Sequence, residues 1–233
     1  MQRIFHTPEG VRDIYSQECS RKQKLQEKLH RVFHQYGFED IETPTFEYFE
    51  VFSKEVGTIP SRDLYKFFDR EGNTLVLRPD FTPSVSRACA TYFNPEKEVV
   101  SLCYTGNTFI NNSSFRGRLK ETTQMGVERM GDDSPEADAE ILAMTVECLL
   151  ATGLTEFQVS VGQVDYYKAI FAQTGLSQEE EEELRELISQ KNYFGVEELV
   201  KNKNMDKSLA RVLSQLPQMF GSTEVLEKAK SLT

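Results

Sequence analysis

The spacing of hydrophobic and polar residues near the start of the chain predicts a helix followed by a short strand. Apolar residues recur every three or four positions between Cys19 and Tyr36, with lysine and arginine between them. Gly37 follows as a typical helix stop. The segment 38–44 has the pattern of a short strand, and its terminal Pro44 indicates a sheet edge or an interface, because proline cannot donate a ladder hydrogen bond. Residues 46–56 are predicted to form a second, short helix.

Two β-hairpins are predicted in the middle of the chain. In the first, residues 64–69 and 74–78 flank the turn Arg70-Glu71-Gly72-Asn73. The second hairpin is longer, since it opens at Val99 and returns after a polar loop at residues 111–120. Each hairpin predicts a pair of antiparallel strands in the first part of the chain.

The returning arm of the long hairpin carries an unusual polar face. Strand side chains alternate with a period of two, so Gln124, Gly126 and Glu128 are expected to lie on one face. A core strand would normally carry apolar groups on that face. The glycine, which has no side chain, is expected to leave space between the polar side chains of Gln124 and Glu128. The pattern therefore predicts a site for a small polar ligand. Alternatively, Gln124 and Glu128 form a structural polar network with Asp80, since buried polar groups are usually satisfied by one another.

Helices dominate the rest of the chain. A helix is predicted over residues 82–92, with Pro83 in its first turn, and another over residues 134–152, which ends before Gly153. A strand is predicted over residues 157–162. Five helical patterns then follow at residues 167–174, 178–190, 195–201, 208–216 and 223–231. We therefore expect a core over residues 1–165 and a helical insertion or subdomain over residues 166–233.

Composition excludes several classes of protein. The chain has 233 residues, 39% of them hydrophobic, which suits a protein able to bury a core. Its net charge of -10 argues against a bare nucleic-acid-binding module, because neutralising phosphates requires clustered lysine and arginine. The first ten residues lack the apolar stretch of a signal peptide, and no apolar run is long enough to span a membrane. A cytoplasmic protein is expected.

Cysteine and histidine give weak signals. The four cysteines are far apart and form no CxxC pair, which is typical of free thiols in a reducing compartment. His30 and His34 have the i, i+4 spacing of a metal-binding pair, but no glutamate base lies between them as in a zinc-protease helix. They are interpreted as surface histidines, and no metal is expected.

Several short motifs resemble, in order, those of the histidyl-tRNA synthetases over about residues 5–165. Leu77-Arg78-Pro79-Asp80-Phe81-Thr82 resembles their Leu-Arg-Pro-Glu-x-Thr element. Three segments together resemble motif 2 of class II synthetases: residues 104–109, the loop with Arg116-Gly117-Arg118, and residues 124–128. The helix from Cys19 and the segment 42–47 resemble motif 1. The resemblance implies an α+β fold, a class II synthetase-like antiparallel sheet flanked by helices, and a homodimer built through motif 1.

The resemblance also implies roles for individual residues. Asp80, Thr82 and Gln124 match positions that hold the amino group of histidine, and Glu128 matches a position that faces its imidazole. The chemistry agrees, because an ammonium group and an imidazole N–H both require acceptors. Arg118 matches an arginine that reaches the terminal phosphates of ATP, although it could also be a solvated loop residue.

The segment that resembles motif 2 departs from the synthetase pattern at the positions that contact ATP. The family has Arg-x-Glu after its phenylalanine, whereas Phe109 is followed here by Ile110-Asn111-Asn112. The lost arginine would bind the α-phosphate, and removing such a preorganised contact typically lowers the rate by about 10²–10³. The later motifs of the family are not found after Val161, so we expect the chain to end before motif 3. The pattern predicts a site that keeps the amino-acid half and has lost the nucleotide half.

This combination resembles the synthetase-like regulatory subunits of ATP phosphoribosyltransferase, which act at the first step of histidine biosynthesis. The resemblance implies a non-catalytic subunit without a cofactor, which partners the short-form catalytic subunit in a hetero-oligomer that contains a homodimer. It implies histidine as the feedback effector, no tRNA and no membrane partner. Two alternatives stay open: a divergent or fragmentary histidyl-tRNA synthetase, and another synthetase-like protein that senses amino acids or acts as a scaffold.

Overall fold

The structure, a computed structural model, describes residues 6–53, 59–112, 117–162, 164–203 and 205–232. The chain divides into two compact units, Met1–Gln158 and Val159–Thr233. The first unit contains strands and helices, and the described part of the second contains helices. The predicted α+β class is therefore confirmed.

The elements of the first unit follow one another in a mixed order. Its helices are α1 (Ser16–Gln35), α2 (Glu50–Ser53), α3 (Thr82–Tyr92) and α4 (Pro135–Thr152). Its strands are β1 (Glu39–Asp40), β2 (Phe46–Tyr48), β3 (Lys66–Phe68), β4 (Thr74–Leu77), β5 (Val100–Phe109) and β6 (Glu121–Met130). A 3-10 turn at Ser61–Asp63 precedes β3.

The described part of the first unit contains two three-stranded sheets. In the larger sheet the strand order is β1-β5-β6, with β1 parallel to β5 and β5 antiparallel to β6. In the smaller sheet the order is β2-β4-β3, and both pairings are antiparallel. Both predicted hairpins are confirmed, β3–β4 and β5–β6.

The larger sheet buries apolar side chains on both faces. On one face Leu102 and Tyr104 of β5 pack against Phe81, Val85 and Cys89 of the α3 region. On the other face Cys103 packs with side chains of α1 and α4, among them Val32, Phe33 and Met144. The alternation of strand side chains explains why Cys103 faces away from its neighbours Leu102 and Tyr104. Helices therefore cover both faces of this sheet.

Local signals account for the helix ends. Ser134 caps α4 by accepting a hydrogen bond from the backbone N–H of Ala137, and Gly153 follows the helix with a φ of 98°. Gly37 follows α1 with a φ of 79°, a left-handed conformation that glycine adopts without strain. Pro83 lies in the first turn of α3, where a missing N–H removes no helical hydrogen bond.

Two of the predicted secondary-structure elements were wrong. Residues 46–48 form strand β2 rather than the start of a helix, because aromatic side chains favour a pleated strand and β4 offers a partner. Residues 157–162 do not form a strand, although Phe157, Val159 and Val161 alternate as predicted. Within the described residues this segment finds no ladder partner, and its three apolar side chains are exposed.

The second unit contains α5 (Val164–Phe171), α6 (Gln178–Ser189), α7 (Tyr193–Asn202), α8 (Lys207–Gln215) and α9 (Glu224–Lys230), with a 3-10 turn at Leu216–Gln218. The five predicted helices are thus present. Its core includes Leu184, Val196 and Leu213, which are fully buried. A capping box between Ser177 and Glu180 starts α6. Among the described helices of the whole chain, none combines the length and hydrophobicity needed to cross a bilayer.

Candidate functional site

The register of the long hairpin places the predicted polar residues on the α3 side of the larger sheet. Gln124 is paired with Gly106, and Glu128 is paired with Leu102. Paired residues of antiparallel strands project to the same face, and Leu102 packs against the α3 region. Gln124 and Glu128 therefore share one face, as the strand alternation predicted.

The chain between β4 and α3 brings two further predicted residues to the same face. Asp80 lies in this connection and Thr82 is the first residue of α3. The amide nitrogen of Gln124 donates to Asp80 Oδ1 at 3.2 Å, and the Thr82 hydroxyl donates to Glu128 Oε1 at 2.5 Å. The four residues therefore form two hydrogen-bonded pairs, and Thr82 pairs with Glu128 rather than with Asp80.

Tyr104 is a residue of this site that the sequence-based reasoning missed. It lies directly opposite Gly126, and a Cβ atom on residue 126 would be 2.7 Å from the ring carbon Cζ and closer still to the hydroxyl oxygen. The expectation of open room above Gly126 was wrong, because the Tyr104 phenol fills that space. Its hydroxyl donates to Glu128 Oε1 at 3.4 Å. A tyrosine paired with a glycine across the two strands would have indicated that the phenol occupies the space over the glycine. This pairing is known only once the strand register is known.

A stack of three flat groups supports Tyr104. Its ring stacks on Phe81 with centroids 4.3 Å apart and planes 7° apart, and the Arg78 guanidinium lies 4.0 Å from the centroid of Phe81. Arg78 donates to the backbone carbonyls of Asn107 and Thr43, both at 2.8 Å. The buried arginine thus holds the stack in place and ties β5 to the segment that precedes β2.

Among the described residues, no cation forms an ion pair with either carboxylate of this site. Burial raises the pKa of Glu128; its bonds to Thr82 and Tyr104 oppose that rise, and the charge of Asp80 adds to it. The ion pairs found in the described part of the chain include neither Asp80 nor Glu128. Two acids close together and partly removed from water favour a ligand that brings N–H donors and positive charge.

The residues matched to the nucleotide half lie at the far end of β5. Ile110 follows the strand directly and lines a cavity together with Asn112 and Arg118. Asp63 also lines this cavity, and its negative charge does not favour phosphate. Arg118 is therefore close to Ile110, while Arg116 lies outside the described residues. An aliphatic side chain at position 110 supplies neither charge nor a hydrogen bond to a phosphate.

Sequence comparison relates the chain to a family of synthetases. Residues 10–233 match the family model described as histidyl-tRNA synthetase. The chain is 42% identical over 226 residues to an ATP phosphoribosyltransferase regulatory subunit from Acetivibrio thermocellus, an alignment that covers 97% of this chain and 54% of that protein. It is 39% identical to a protein of the same name from Ruminiclostridium cellulolyticum, over 97% of this chain and 54% of that one. The chain thus spans about half the length of these relatives.

Structure comparison agrees with the sequence comparison. A crystal structure of an ATP phosphoribosyltransferase regulatory subunit/histidyl-tRNA synthetase from Bacillus halodurans C superposes with a TM-score of 0.86 at 31% identity, over 100% of this chain and 60% of that one. The expected class II synthetase-like fold is therefore confirmed.

Proposed function

The chain belongs to the histidyl-tRNA synthetase family, and from this premise we propose that it forms part of a regulatory subunit of ATP phosphoribosyltransferase. Relatives that carry this name are 36–42% identical to the chain over almost its whole length. In this role the subunit makes no aminoacyl-tRNA. It acts on a separate, short-form catalytic subunit in the cytoplasm and responds to histidine, the end product of the pathway.

The observation that carries the proposal is Ile110. In the synthetases an arginine at this position would bind the α-phosphate of ATP, and Asn112 stands where a glutamate would orient the adenine. Ile110 lines the same cavity as Arg118, so an arginine that reached the terminal phosphates of ATP would lack its main partner here. An enzyme that forms an adenylate needs preorganised positive charge at that point. The nucleotide half of the site is therefore inactive in the proposed function.

The amino-acid half is proposed to bind histidine. Asp80 and Gln124 would hold its ammonium group, while Glu128 would accept a hydrogen bond from the imidazole N–H, with Thr82 and Tyr104 fixing the carboxylate. The positive charge of the ligand offsets the repulsion between the carboxylates of Asp80 and Glu128. This electrostatic gain is the source of the proposed affinity. Leucine or methionine would add no N–H donor to the hydroxyl donors that Thr82 and Tyr104 already supply to Glu128, and would bind far more weakly.

The proposed assembly contains a homodimer built through the motif 1 region. Two aromatic side chains of β2 support this arrangement, because Phe46 is 51% exposed and Tyr48 is 55% exposed. Large exposed aromatic groups on one short strand are typical of a surface that a partner covers. Sedimentation of the purified protein tests this part of the proposal. A dimer is expected, and a monomer at micromolar concentration would contradict it.

A phosphoribosyltransferase assay tests the proposed role. The short catalytic subunit is assayed alone and with this chain, at increasing concentrations of histidine. The chain should raise the activity, and histidine should lower it again through its higher affinity for the less active assembly. Glu128→Gln should still raise the activity but should shift the histidine response to higher concentration, whereas Glu121→Gln on the same strand should not shift it. No effect of the parent chain on the catalytic subunit would contradict the proposal.

A divergent histidyl-tRNA synthetase is the second candidate, and the combined description of the Bacillus halodurans relative favours keeping it. Histidine-dependent exchange of pyrophosphate into ATP separates the two functions. The proposed regulatory subunit gives no exchange above a blank without protein. Exchange that requires histidine would establish the synthetase function and exclude the proposed one.

A further inference from the structure

Four side chains with metal-binding chemistry meet at one point of the first unit. They are His30, His34, Asp40 and Cys103, and their possible ligand atoms all lie within 4.8 Å of one another. His30 Nε2 lies 2.5 Å from Asp40 Oδ1, and His34 Nε2 lies 3.1 Å from Asp40 Oδ2. The Cys103 thiol donates to Asp40 Oδ1 at 3.4 Å. The cluster lies on the opposite face of β5 from Tyr104, so the proposed histidine site does not use it.

The fold brings these residues together from three separate elements. His30 and His34 are one helical turn apart on α1, which puts both imidazoles on one face. Their ring centroids are 4.4 Å apart. Asp40 on β1 is aligned with Cys103 on β5 in the parallel pairing, so the carboxylate and the thiol lie side by side. The end of α1 and the edge strand of the sheet thus form a four-ligand set.

We propose that His30, His34, Asp40 and Cys103 bind one zinc ion in a tetrahedral site. Imidazole, carboxylate and thiolate are the three protein ligand types that zinc uses, and four of them complete a structural site. The combination of one soft sulfur and two imidazoles selects against magnesium and calcium, which require oxygen ligands. On binding, the Cys103 thiol becomes a thiolate and its proton passes to solvent.

The geometry needs only small adjustments to hold the ion. Bonds of about 2.0 Å to nitrogen and oxygen and about 2.3 Å to sulfur place tetrahedral ligand atoms roughly 3.3–3.6 Å apart. A separation of up to 4.8 Å is therefore about 1 Å too long, a distance that side-chain rotation of the two histidines covers. Cys103 is 0% exposed, whereas the His34 side chain is 47% exposed. The ion would enter from solvent over the histidines and meet the buried sulfur beneath them.

The sequence-based expectation of no metal at His30 and His34 rested on the local sequence alone. No third ligand lies between the two histidines, and Asp40 and Cys103 come from strands that pair 63 positions apart. Such a ligand set is visible only after the parallel pairing of β1 and β5 is known.

Titration with cobalt tests the proposal on the whole chain, kept reduced and freed of any histidine tag. One equivalent of Co²⁺ should give the ultraviolet absorption of a thiolate bound to cobalt, and Zn²⁺ should remove it by displacement. His34→Gln changes an exposed side chain and should weaken zinc binding by more than about tenfold. Cys103→Ser should abolish the absorption. Zinc should also raise the melting temperature of the parent, whereas magnesium should not.

Matched controls come from the same chain. His6→Gln removes the third histidine, and Cys89→Ser removes a second buried thiol. Both variants should keep the cobalt absorption and the zinc affinity of the parent. The proposal is overturned if the parent gives no thiolate absorption with cobalt, or if His34→Gln binds zinc as tightly as the parent. Since His34 is at the surface, the second result decides the matter even if Cys103→Ser fails to fold.

Discussion

Substituting Gly126 by alanine should destabilise the first unit, although alanine normally strengthens a strand. The backbone preference alone favours alanine by about 0.5–1 kcal/mol. However, the added Cβ would lie 2.7 Å from Cζ of Tyr104, a separation that real Cβ atoms do not show. The ring cannot move freely, because it is buried and stacked on Phe81. Overpacking of this kind costs about 1–3 kcal/mol, so a net loss of about 1–2 kcal/mol is expected.

Denaturant unfolding followed by circular dichroism measures this loss directly. Gly162→Ala is the matched control, because a Cβ at that glycine meets no atom within 4 Å and its stability should change by less than about 0.5 kcal/mol. Tyr104→Leu removes the hydroxyl and the outer ring atoms, so Gly126→Ala in that background should cost much less than in the parent. If Gly126→Ala is as stable as the parent, the packing of Tyr104 over residue 126 is wrong.

Three further predictions concern the two halves of the site. Burial raises the pKa of Glu128 above its ordinary value of 4.5, so the folded state favours the protonated form. The contribution of Glu128 to the unfolding free energy is therefore fully present below pH 4.5 and is lost as the pH rises through the raised pKa. Glu128→Gln should therefore lose less unfolding free energy than the parent between about pH 4 and about pH 7, and equal losses in denaturant titrations would contradict this. The same variant should bind histidine about 10- to 100-fold more weakly by calorimetry, whereas Glu121→Gln should change the affinity by less than about twofold. Ile110→Arg should not create pyrophosphate exchange, because Asn112 still lacks the carboxylate that orients adenine; measurable exchange would show that one arginine restores the nucleotide site.

Local sequence signals predicted the elements that depend on local chemistry. Helix α3 begins and ends where its pattern indicated, since Pro83 suits a first turn and the apolar spacing is regular. The turn before β4 was predicted from its residues, and Asp69 there accepts hydrogen bonds from the backbone N–H groups of Glu71 and Asn73. The resemblance to the histidyl-tRNA synthetases then supplied the fold that joins these elements.

Features that depend on pairing between distant segments were not predicted. Residues 46–48 have an aromatic pattern compatible with a helix or a strand, and the nearby β4 decides between them. The contact of Tyr104 with Gly126 depends on the register across an eleven-residue connection between β5 and β6. The proximity of Asp40 to Cys103 depends on a parallel pairing that no local signal specifies. Each of these features is a tertiary contact rather than a preference of the segment itself.

Titration calorimetry of the chain with histidine, performed with and without ATP, tests the central claim most directly. In the proposed function, the amino-acid half of the site is retained and the nucleotide half is lost. Histidine should therefore bind with one affinity whether or not ATP is present, and this affinity should fall in Glu128→Gln. Failure of the chain to bind histidine, or a histidine affinity that ATP strengthens, would contradict it.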